Sequence, residues 1–181
     1  MRKLIESTLM SLDGVVEAPV TWTGRYWDEE SESHALAALD RYEAFVFGRI
    51  TYETFAAMWG KKKGNAYIDR INEMPKYVIS NTLRETTTWN ARLLQGEVVE
   101  EITKLKGQPG KDLIKYGTSN VDRTLITHGL IDELHVWLIP VVVGRGKRIF
   151  EGMDPASLKL KLIGESRFVN GSVLLRYAPE P

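Results

Sequence analysis

Apolar and polar positions follow two periods along this chain, and segments of the two kinds alternate. Short apolar runs, rich in β-branched and aromatic residues, predict strands. They lie at residues 3–10, 44–47, 76–80, 92–94 and 113–116. Segments with helical spacing of apolar residues lie at 28–41, 52–59, 66–73, 97–106 and 120–127. This alternation predicts βα units and a largely parallel sheet.

The C-terminal part of the chain has a different pattern. Residues 131–143 form a long apolar, β-branched run, as expected for a strand covered on both faces. Residues 157–163 alternate leucine with lysine, which is the pattern of a strand with one polar face. Asn170-Gly171, a dipeptide that favours tight hairpin turns, connects this segment to 172–177. The chain is therefore predicted to end in an antiparallel hairpin.

The elements together predict the architecture. No repeat, linker or low-complexity segment interrupts the chain, so residues 1–181 are expected to form a single domain. The predicted fold class is α/β, a three-layer α/β/α sandwich whose mixed sheet is mostly parallel. Ligands of such sheets bind beyond the carboxyl ends of the strands. Polar or glycine-containing loops follow predicted strands at 11–14, 48–51, 80–82 and 117–119, and their convergence predicts a ligand site.

The most informative of these junctions is the segment 112–125, DLIKYGTSNVDRTL. A strand leads into a turn at Gly117 and a helix that is predicted to open on Thr118 or Ser119. Ser119 and Asp122 have capping-box spacing, in which the hydroxyl and the acid each satisfy a backbone N–H. Glycine allows close approach of a ligand, and amides at a helix start attract anions, so a phosphate could bind here. A tight connection without a ligand is the alternative.

Three further segments carry groups that could bind a phosphate or a nucleotide. Gly48-Arg49-Ile50-Thr51 repeats the strand–glycine–helix pattern and adds a guanidinium, which matches phosphate geometry. Ser80 and Asn81 end another strand with hydrogen-bonding side chains. The basic loop 144–148 could contact a substrate phosphate. The alternatives are a plain helix start, a side-chain-closed turn and a surface loop, respectively.

Composition and charge narrow the classes of function. The chain has 43% hydrophobic and 27% charged residues, a formal net charge of zero and no cysteine. This charge gives no indication of nucleic acid or an anionic membrane surface as partner. Glu6 breaks the apolar run of a would-be signal peptide, and no window is long enough to span a bilayer. Together with the absence of cysteine, which fits a reducing compartment, these features lead us to expect a cytoplasmic protein without nucleic acid or membrane as partner.

Several motifs of other enzyme classes are absent from the sequence. It contains no G-x-x-x-x-G-K-[ST], no G-x-G-x-x-G after a strand and no G-x-S-x-G. The three histidines are scattered and include no i,i+4 pair, so no metal site is expected. A nucleotide triphosphatase of the Walker type, a standard Rossmann domain and a serine hydrolase are thereby disfavoured.

Several of these segments resemble known families. FGRITYE at 47–53 resembles the pyridine-nucleotide motif of dihydrofolate reductases. The spacing of 80–83, of YGTS at 116–119, of the opening STLMSLDG and of PVVVGRG at 140–146 is more similar to a sister group. That group is the C-terminal reductase domain of the bifunctional riboflavin-biosynthesis deaminase–reductase and its stand-alone bacterial relatives. The resemblance covers almost the whole chain and implies a dihydrofolate reductase-like fold without the zinc signature of the deaminase.

By this resemblance the cofactor is NADPH, and the reaction is hydride transfer to a C=N or C=O carbon. The implied substrate is pterin-like or a ribosylamino-pyrimidine, linked to riboflavin biosynthesis. The implied contacts are Arg49 at the adenosine 2′-phosphate, Gly48 and Thr51 at the phosphates, Ser80 and Asn81 beside the adenine ribose, and Gly117, Thr118 and Ser119 at the pyrophosphate. Residues 11–14 would border the nicotinamide.

The proton donor is the least defined part of this assignment. Dihydrofolate reductases have a carboxylate at the start of the first helix, and Asp28 lies at about that position. Asp13 is the other acid expected near the nicotinamide. Both are candidate catalytic residues, with helix capping and turn formation as alternative roles. The single glycine at the pyrophosphate turn and the missing proline-aspartate approach to the first helix argue against dihydrofolate as substrate.

Three functions are therefore consistent with the sequence. The first is an NADPH-dependent reductase, the second a non-catalytic nucleotide- or flavin-binding protein, and the third an assembly protein on the same fold. A homodimer is expected, with the apolar run 134–143 and the final hairpin as its interface.

Overall fold

The structure, a computed structural model, describes residues 1–86, 88–153 and 158–180. The strands of this part of the chain are β1 (Leu4–Ser11), β2 (Tyr42–Gly48), β3 (Lys76–Ile79), β4 (Ala91–Leu94), β5 (Asp112–Tyr116), β6 (Glu133–Ile139), β7 (Leu160–Arg167) and β8 (Val173–Pro179). The helices are α1 (Glu29–Leu39), α2 (Arg49–Trp59), α3 (Ala66–Glu73), α4 (Val98–Gly107) and α5 (Asp122–Thr127).

The described strands form a single sheet in the order β4-β3-β2-β5-β1-β6-β8-β7. All neighbours from β4 to β6 are parallel, and β8 pairs antiparallel with both β6 and β7. The predicted mixed sheet with an antiparallel end is thus confirmed. β1 lies between β5 and β6, which explains why Leu4 and Ile5 are completely buried.

Helices cover both faces of the sheet and form two apolar cores. On one face, Leu39 of α1, Tyr52 of α2 and Ile71 of α3 belong to a buried cluster that includes Phe45 and Phe47 of β2. On the other face, helices α4 and α5 contribute Ile102, Leu105 and Leu125 to a second cluster. Apolar runs in the parallel strands follow from this double coverage, because residues pointing to either face are buried.

The predicted turn between β7 and β8 is also present. The Phe168 N–H donates to the Ser172 carbonyl at 3.1 Å, and the Gly171 N–H donates to the Phe168 carbonyl at 2.9 Å. Gly171 has φ of +89°, a conformation that side chains with a Cβ disfavour. The Asn170 side chain accepts bonds from the amide and hydroxyl of Ser172, so this asparagine closes the turn.

Two predicted strands differ from the structure by more than two residues at an end. The run 131–143 was expected to be one strand, but β6 ends at Ile139 because Pro140 has no N–H for the ladder. Beyond it, the chain crosses the end of β1, where the Leu12 N–H donates to the Val141 carbonyl at 2.8 Å. β7 continues to Arg167 because it pairs along the length of β8, whereas Ser157, the expected first residue, lies outside the described residues.

Candidate functional site

The sheet order places most of the predicted site residues on one edge. Strands β3, β2, β5, β1 and β6 are consecutive and parallel, so their carboxyl ends meet. The predicted loops 11–14, 48–51, 80–82 and 117–119 all follow these strands, and so does the segment 140–148. We call this edge the rim.

The two strand–glycine–helix junctions contact each other at the centre of the rim. A Cβ placed on Gly48 would lie 2.9 Å from the Ser119 Cβ, closer than real Cβ contacts. A Cβ on Gly117 would lie 3.4 Å from the Thr51 Oγ1, and Gly117 has φ of +70°. Both positions therefore require glycine, and the residues predicted to hold phosphates are neighbours across the β2–β5 pair.

The remaining predicted cofactor residues lie beside this contact. Arg49 is the first residue of α2, and its side chain is 44% exposed with a long ion pair to Glu53 at 3.6 Å. Such a pair at the surface is weak, so the guanidinium can turn to an anion. The Ser80 hydroxyl accepts from the amides of Thr82 and Leu83, which is the turn-closing role. Asn81 is exposed and Thr118 is half-buried.

The turn after β5 differs from the prediction in its details. The helix was expected to open on Thr118 or Ser119, but α5 begins at Asp122. Asp122 accepts the Ser119 amide at 2.5 Å, as a capping box requires. The Ser119 hydroxyl, however, donates to the same carboxylate at 2.8 Å instead of accepting an amide. Because the Gly117 amide also donates to the Ser7 carbonyl at 2.9 Å, two amides of this turn are already bonded.

A buried charged group lies directly beneath this turn. Lys115 of β5 is completely buried, and its Nζ lies 2.8 Å from Asp122 Oδ1 and 3.5 Å from Glu6 Oε2. Glu6 stands beside Lys115 in the β1–β5 register. The ammonium also donates to the Gly117 carbonyl at 2.6 Å. We call Glu6, Lys115 and Asp122 the buried charged trio.

The sequence reasoning missed the trio, although the sequence carries a signal for it. Glu6 and Lys115 are single charges inside apolar strand segments, and buried charges require partners. Burial raises the pKa of Glu6 to about 7, although Lys115 opposes that shift. Burial alone would lower the pKa of Lys115, but the carboxylates of Glu6 and Asp122 outweigh it and the pKa is raised. Lys115 is therefore an ammonium that two acids share.

Asp13, one candidate proton donor, connects two loops of the rim. Its carboxylate accepts from the amides of Val143 and Gly144 at 3.0 and 2.8 Å and from the Ser11 hydroxyl at 2.7 Å. The Val143 amide is the largest cause that lowers the pKa of Asp13 to about 2. These contacts are those of a structural carboxylate.

Asp28, the other candidate, is the N-cap of α1. Its carboxylate accepts the Ser31 amide at 3.0 Å and the Asn170 side-chain amide at 2.9 Å. The bond from the Ser31 amide is the main cause that lowers the pKa of Asp28. Both acids are thus held as acceptors, which favours the capping and turn-forming alternatives over proton donation.

The basic loop after β6 lies against the rim. The Arg148 Nε donates to the Asp13 carbonyl at 3.1 Å, and the Val16 amide donates to the Lys147 carbonyl at 3.0 Å. The Lys147 Nζ donates to Asn120 Oδ1 at 3.4 Å, next to the turn 117–119. A cation therefore stands on the side of the turn opposite β2.

Aromatic side chains occupy the α1 side of the sheet next to the rim. Trp27 packs at 5.5 Å from Trp137 and at 5.8 Å from Tyr67, measured between ring centroids. The Tyr67 hydroxyl donates to the hydroxyl of Tyr116, the last residue of β5, at 3.1 Å. Tyr67 and Trp137 are buried, whereas Trp27 and Tyr116 are half-buried, so only the latter two offer planar apolar surface.

The described residues contain no metal-ion cluster and no membrane-spanning helix. In residues 1–86, 88–153 and 158–180, no group of three or more histidine, cysteine, aspartate or glutamate side chains could hold a metal ion. None of the helices in that part of the chain is long and apolar enough to cross a membrane.

Comparisons with known proteins identify relatives over nearly the full length. A family model described as the RibD C-terminal domain matches residues 2–174. An uncharacterized protein, YyaP, of Bacillus subtilis strain 168 is 27% identical over 97% of this chain and 94% of its own.

Solved structures share the fold at lower identity. A Shewanella protein named for riboflavin biosynthesis has a TM-score of 0.75 at 19% identity, covering 99% of both chains. The Thermotoga maritima deaminase and 5-amino-6-(5-phosphoribosylamino)uracil reductase has a TM-score of 0.70 at 15% identity, with 99% of this chain and 57% of that one covered. Enterococcus faecalis dihydrofolate reductase, solved with NADP(H), has a TM-score of 0.65 at 13% identity, covering 99% and 97%.

The buried charged trio predicts a pH-dependent stability. The folded protein holds the Glu6 proton up to about pH 7, whereas an exposed glutamate releases it near 4.5. Between these values the unfolded state binds fewer protons, so the free energy of unfolding falls as pH rises and levels off above about 7. Relative to Glu6→Gln, the wild type should lose on the order of 3 kcal/mol over this window. Urea denaturation at several pH values measures it.

Glu100→Gln is the matched control, because Glu100 is exposed on α4 and its removal should leave the pH profile unchanged. Parallel profiles for the wild type and Glu6→Gln would contradict a raised pKa at Glu6.

Proposed function

Because the chain belongs to the RibD C-terminal domain family, we propose that it is an NADPH-dependent reductase of a small heterocyclic substrate. The observation that carries this proposal is the contact of the two glycine junctions on the rim. A Cβ on Gly48 would lie too close to Ser119, the φ of +70° at Gly117 disfavours a side chain there, and Arg49 stands exposed beside them. We call the surface formed by Gly48, Arg49 and Gly117 the cradle. It suits the phosphates of a dinucleotide.

The residues around the cradle fit a phosphate-bearing cofactor in most respects. Arg49 on one side and Lys147 on the other supply cations, and Thr51 supplies a hydroxyl next to Gly117. The arrangement supports Arg49 at the 2′-phosphate and Gly48, Thr51, Gly117, Thr118 and Ser119 at the other phosphates. Ser80 and Asn81 follow β3, next to β2, which is consistent with a position beside the adenine ribose.

One contact argues against a role of Ser119 at the phosphates. Asp122 already accepts the Ser119 amide and hydroxyl, so these two groups can bind a phosphate only if they exchange partners.

The bound cofactor would supply a hydride. The chain's own residues would bind and orient the cofactor and the substrate, and would exclude water from them. Trp27 and Tyr116 border the rim with planar surface, which suits a heterocyclic ring. We propose a pterin-like or ribosylamino-pyrimidine substrate, since two of the structural neighbours carry names from riboflavin biosynthesis. The exposed Arg145 of the basic loop 144–148 would bind a phosphate on it.

A second candidate function is supported by one observation. Asp13 and Asp28 both accept hydrogen bonds and both have lowered pKa values, so neither is poised to give up a proton at neutral pH. A protein with this site could bind a nucleotide or a flavin without turnover. The two proposals differ in one result, which is the oxidation of NADPH in the presence of candidate substrates.

We further propose a cytoplasmic homodimer. Leu162, Leu175 and Tyr177 share one face of the antiparallel end of the sheet by register. Leu162 is 47% exposed and the other two are half-buried, so this face offers apolar surface to a second copy.

Arg49→Ala tests the cofactor site. Loss of a charge-assisted bond should weaken NADPH binding by about 1.5–3 kcal/mol, or roughly 10- to 150-fold in the dissociation constant, by calorimetric titration. Arg92→Ala, which removes an exposed arginine on β4, should leave the constant unchanged. A wild-type protein that binds neither NADPH nor NADH would refute the proposal.

Asp28→Asn separates helix capping from proton donation. Asparagine is as good an N-cap as aspartate and keeps an oxygen for the Ser31 amide, but it loses the oxygen that accepts the Asn170 side-chain amide. Stability should therefore fall by about 0.5–1.5 kcal/mol, the worth of one hydrogen bond. Because the contacts of Asp28 are those of a cap, we expect the rate of NADPH oxidation across a panel of pterins and ribosylamino-pyrimidines to stay within a few-fold. A loss on the order of 10²–10⁴-fold would instead identify Asp28 as the proton donor.

Leu162→Lys tests the proposed dimer. A charge on the shared apolar face should convert the dimer to a monomer in sedimentation experiments. Val169→Lys is the control, because Val169 is 95% exposed at the hairpin tip and away from that face. A monomeric wild type would contradict the dimer.

A further inference from the structure

Lys115 connects the interior of the sheet to the turn at the centre of the rim. Its ammonium donates to the Gly117 carbonyl at 2.6 Å and lies 2.8 Å from Asp122 Oδ1. We propose that Lys115 is a positioning residue, which holds the turn 117–119 in the conformation that accepts a pyrophosphate. This inference rests on the proposed function and assigns the buried charged trio a part in it.

The turn is held at both of its ends by one ion pair. Lys115 holds the carbonyl of Gly117, where the turn begins, and Asp122 holds the amide and hydroxyl of Ser119, where it ends. Ser119 in turn lies against Gly48, and Gly117 lies against Thr51. A shift of the turn would therefore move it into α2 or out of the cradle. Holding a binding loop in its bound shape lowers the cost of binding.

The role of Lys115 is geometric, because its charge is already compensated. It lies between Glu6 and Asp122, at 3.5 and 2.8 Å, so its ammonium presents no net positive charge to a ligand. Glu6 Oε2 makes no hydrogen bond within the described residues, which leaves Asp122 and the Gly117 carbonyl as the directional contacts of the trio. Arg49 and Lys147 remain the groups that attract phosphate.

The chain contains a matched control. Lys106 is also buried, and it also bonds one carbonyl and one carboxylate, at 2.9 Å to Leu130 and 2.5 Å to Asp132. It lies at the amino ends of the strands, where Asp132 accepts the Leu4 amide. Lys106→Met therefore removes a comparable buried ion pair far from the rim.

The experiment compares Lys115→Met and the double variant Glu6→Leu/Lys115→Met with Lys106→Met in the full chain. The double variant removes Glu6 together with Lys115, so that the fully buried carboxylate is not left without its cation. Asp122 stays in place and keeps the Ser119 amide and hydroxyl as donors, which protects folding. Binding of NADPH and of adenosine 2′-monophosphate is titrated, and amide exchange of the segment 116–122 is followed without ligand. Adenosine 2′-monophosphate lacks the pyrophosphate and reports on the Arg49 end of the site alone.

We expect the double variant to bind NADPH at least about 10-fold more weakly, with faster amide exchange in the turn and unchanged binding of adenosine 2′-monophosphate. Lys106→Met should match the wild type in all three. The role of Lys115 is overturned if the folded double variant keeps its affinity for NADPH. It is also overturned if the binding of both ligands is weakened equally. Absence of NADPH binding by the wild type overturns the proposed function as well, so the two failures are distinguishable.

Discussion

The pairing of β2 with β5 is the constraint on which the rest of the site depends. Their parallel register brings two strand–glycine–helix junctions so close that a Cβ on Gly48 would overlap Ser119. Parallel neighbours with helical crossovers leave their loops on a common edge. Here each glycine lies against a side chain of the other junction, Gly48 against Ser119 and Gly117 against Thr51. Arg49, Thr51 and Lys147 acquire a shared role only because this contact places them around one cradle.

Buried charge is the second theme of the structure. Lys106 and Lys115 are both buried lysines that pair with an acid and a backbone carbonyl, one at each end of the parallel strands. Buried ion pairs add little net stability, because desolvation offsets the attraction between the charges. Each pair instead fixes the position of a segment outside the sheet relative to the end of a strand. At the rim, that geometry determines the shape of the turn that follows β5.

Three aspartates serve the same purpose in this structure, which is to accept backbone amides. Asp13, Asp28 and Asp122 each accept backbone amides and hold a loop or a helix start. Acceptance of amides stabilises the carboxylate form, so such residues organise structure more readily than they transfer protons.

Structures with 13–19% identity share this fold, which shows that the sheet tolerates wide changes of sequence around it.

The sequence by itself determined the order and type of the elements, because hydrophobic periodicity reports which faces a segment buries. It also indicated the hairpin at Asn170-Gly171 and the two glycine junctions, because turns and close approaches depend on local residue chemistry. Strand ends were less accurate, since Pro140 and the crossing of Leu12 by Val141 end β6 through contacts distant in sequence. Only the tertiary structure decided that Glu6, Lys115 and Asp122 meet, and that Asp28 caps a helix held by Asn170. Glu6 is far along the chain from Lys115, and Asp28 is far from Asn170. The reason is physical: the packing of the sheet brings these partners together, and no local sequence pattern encodes that packing.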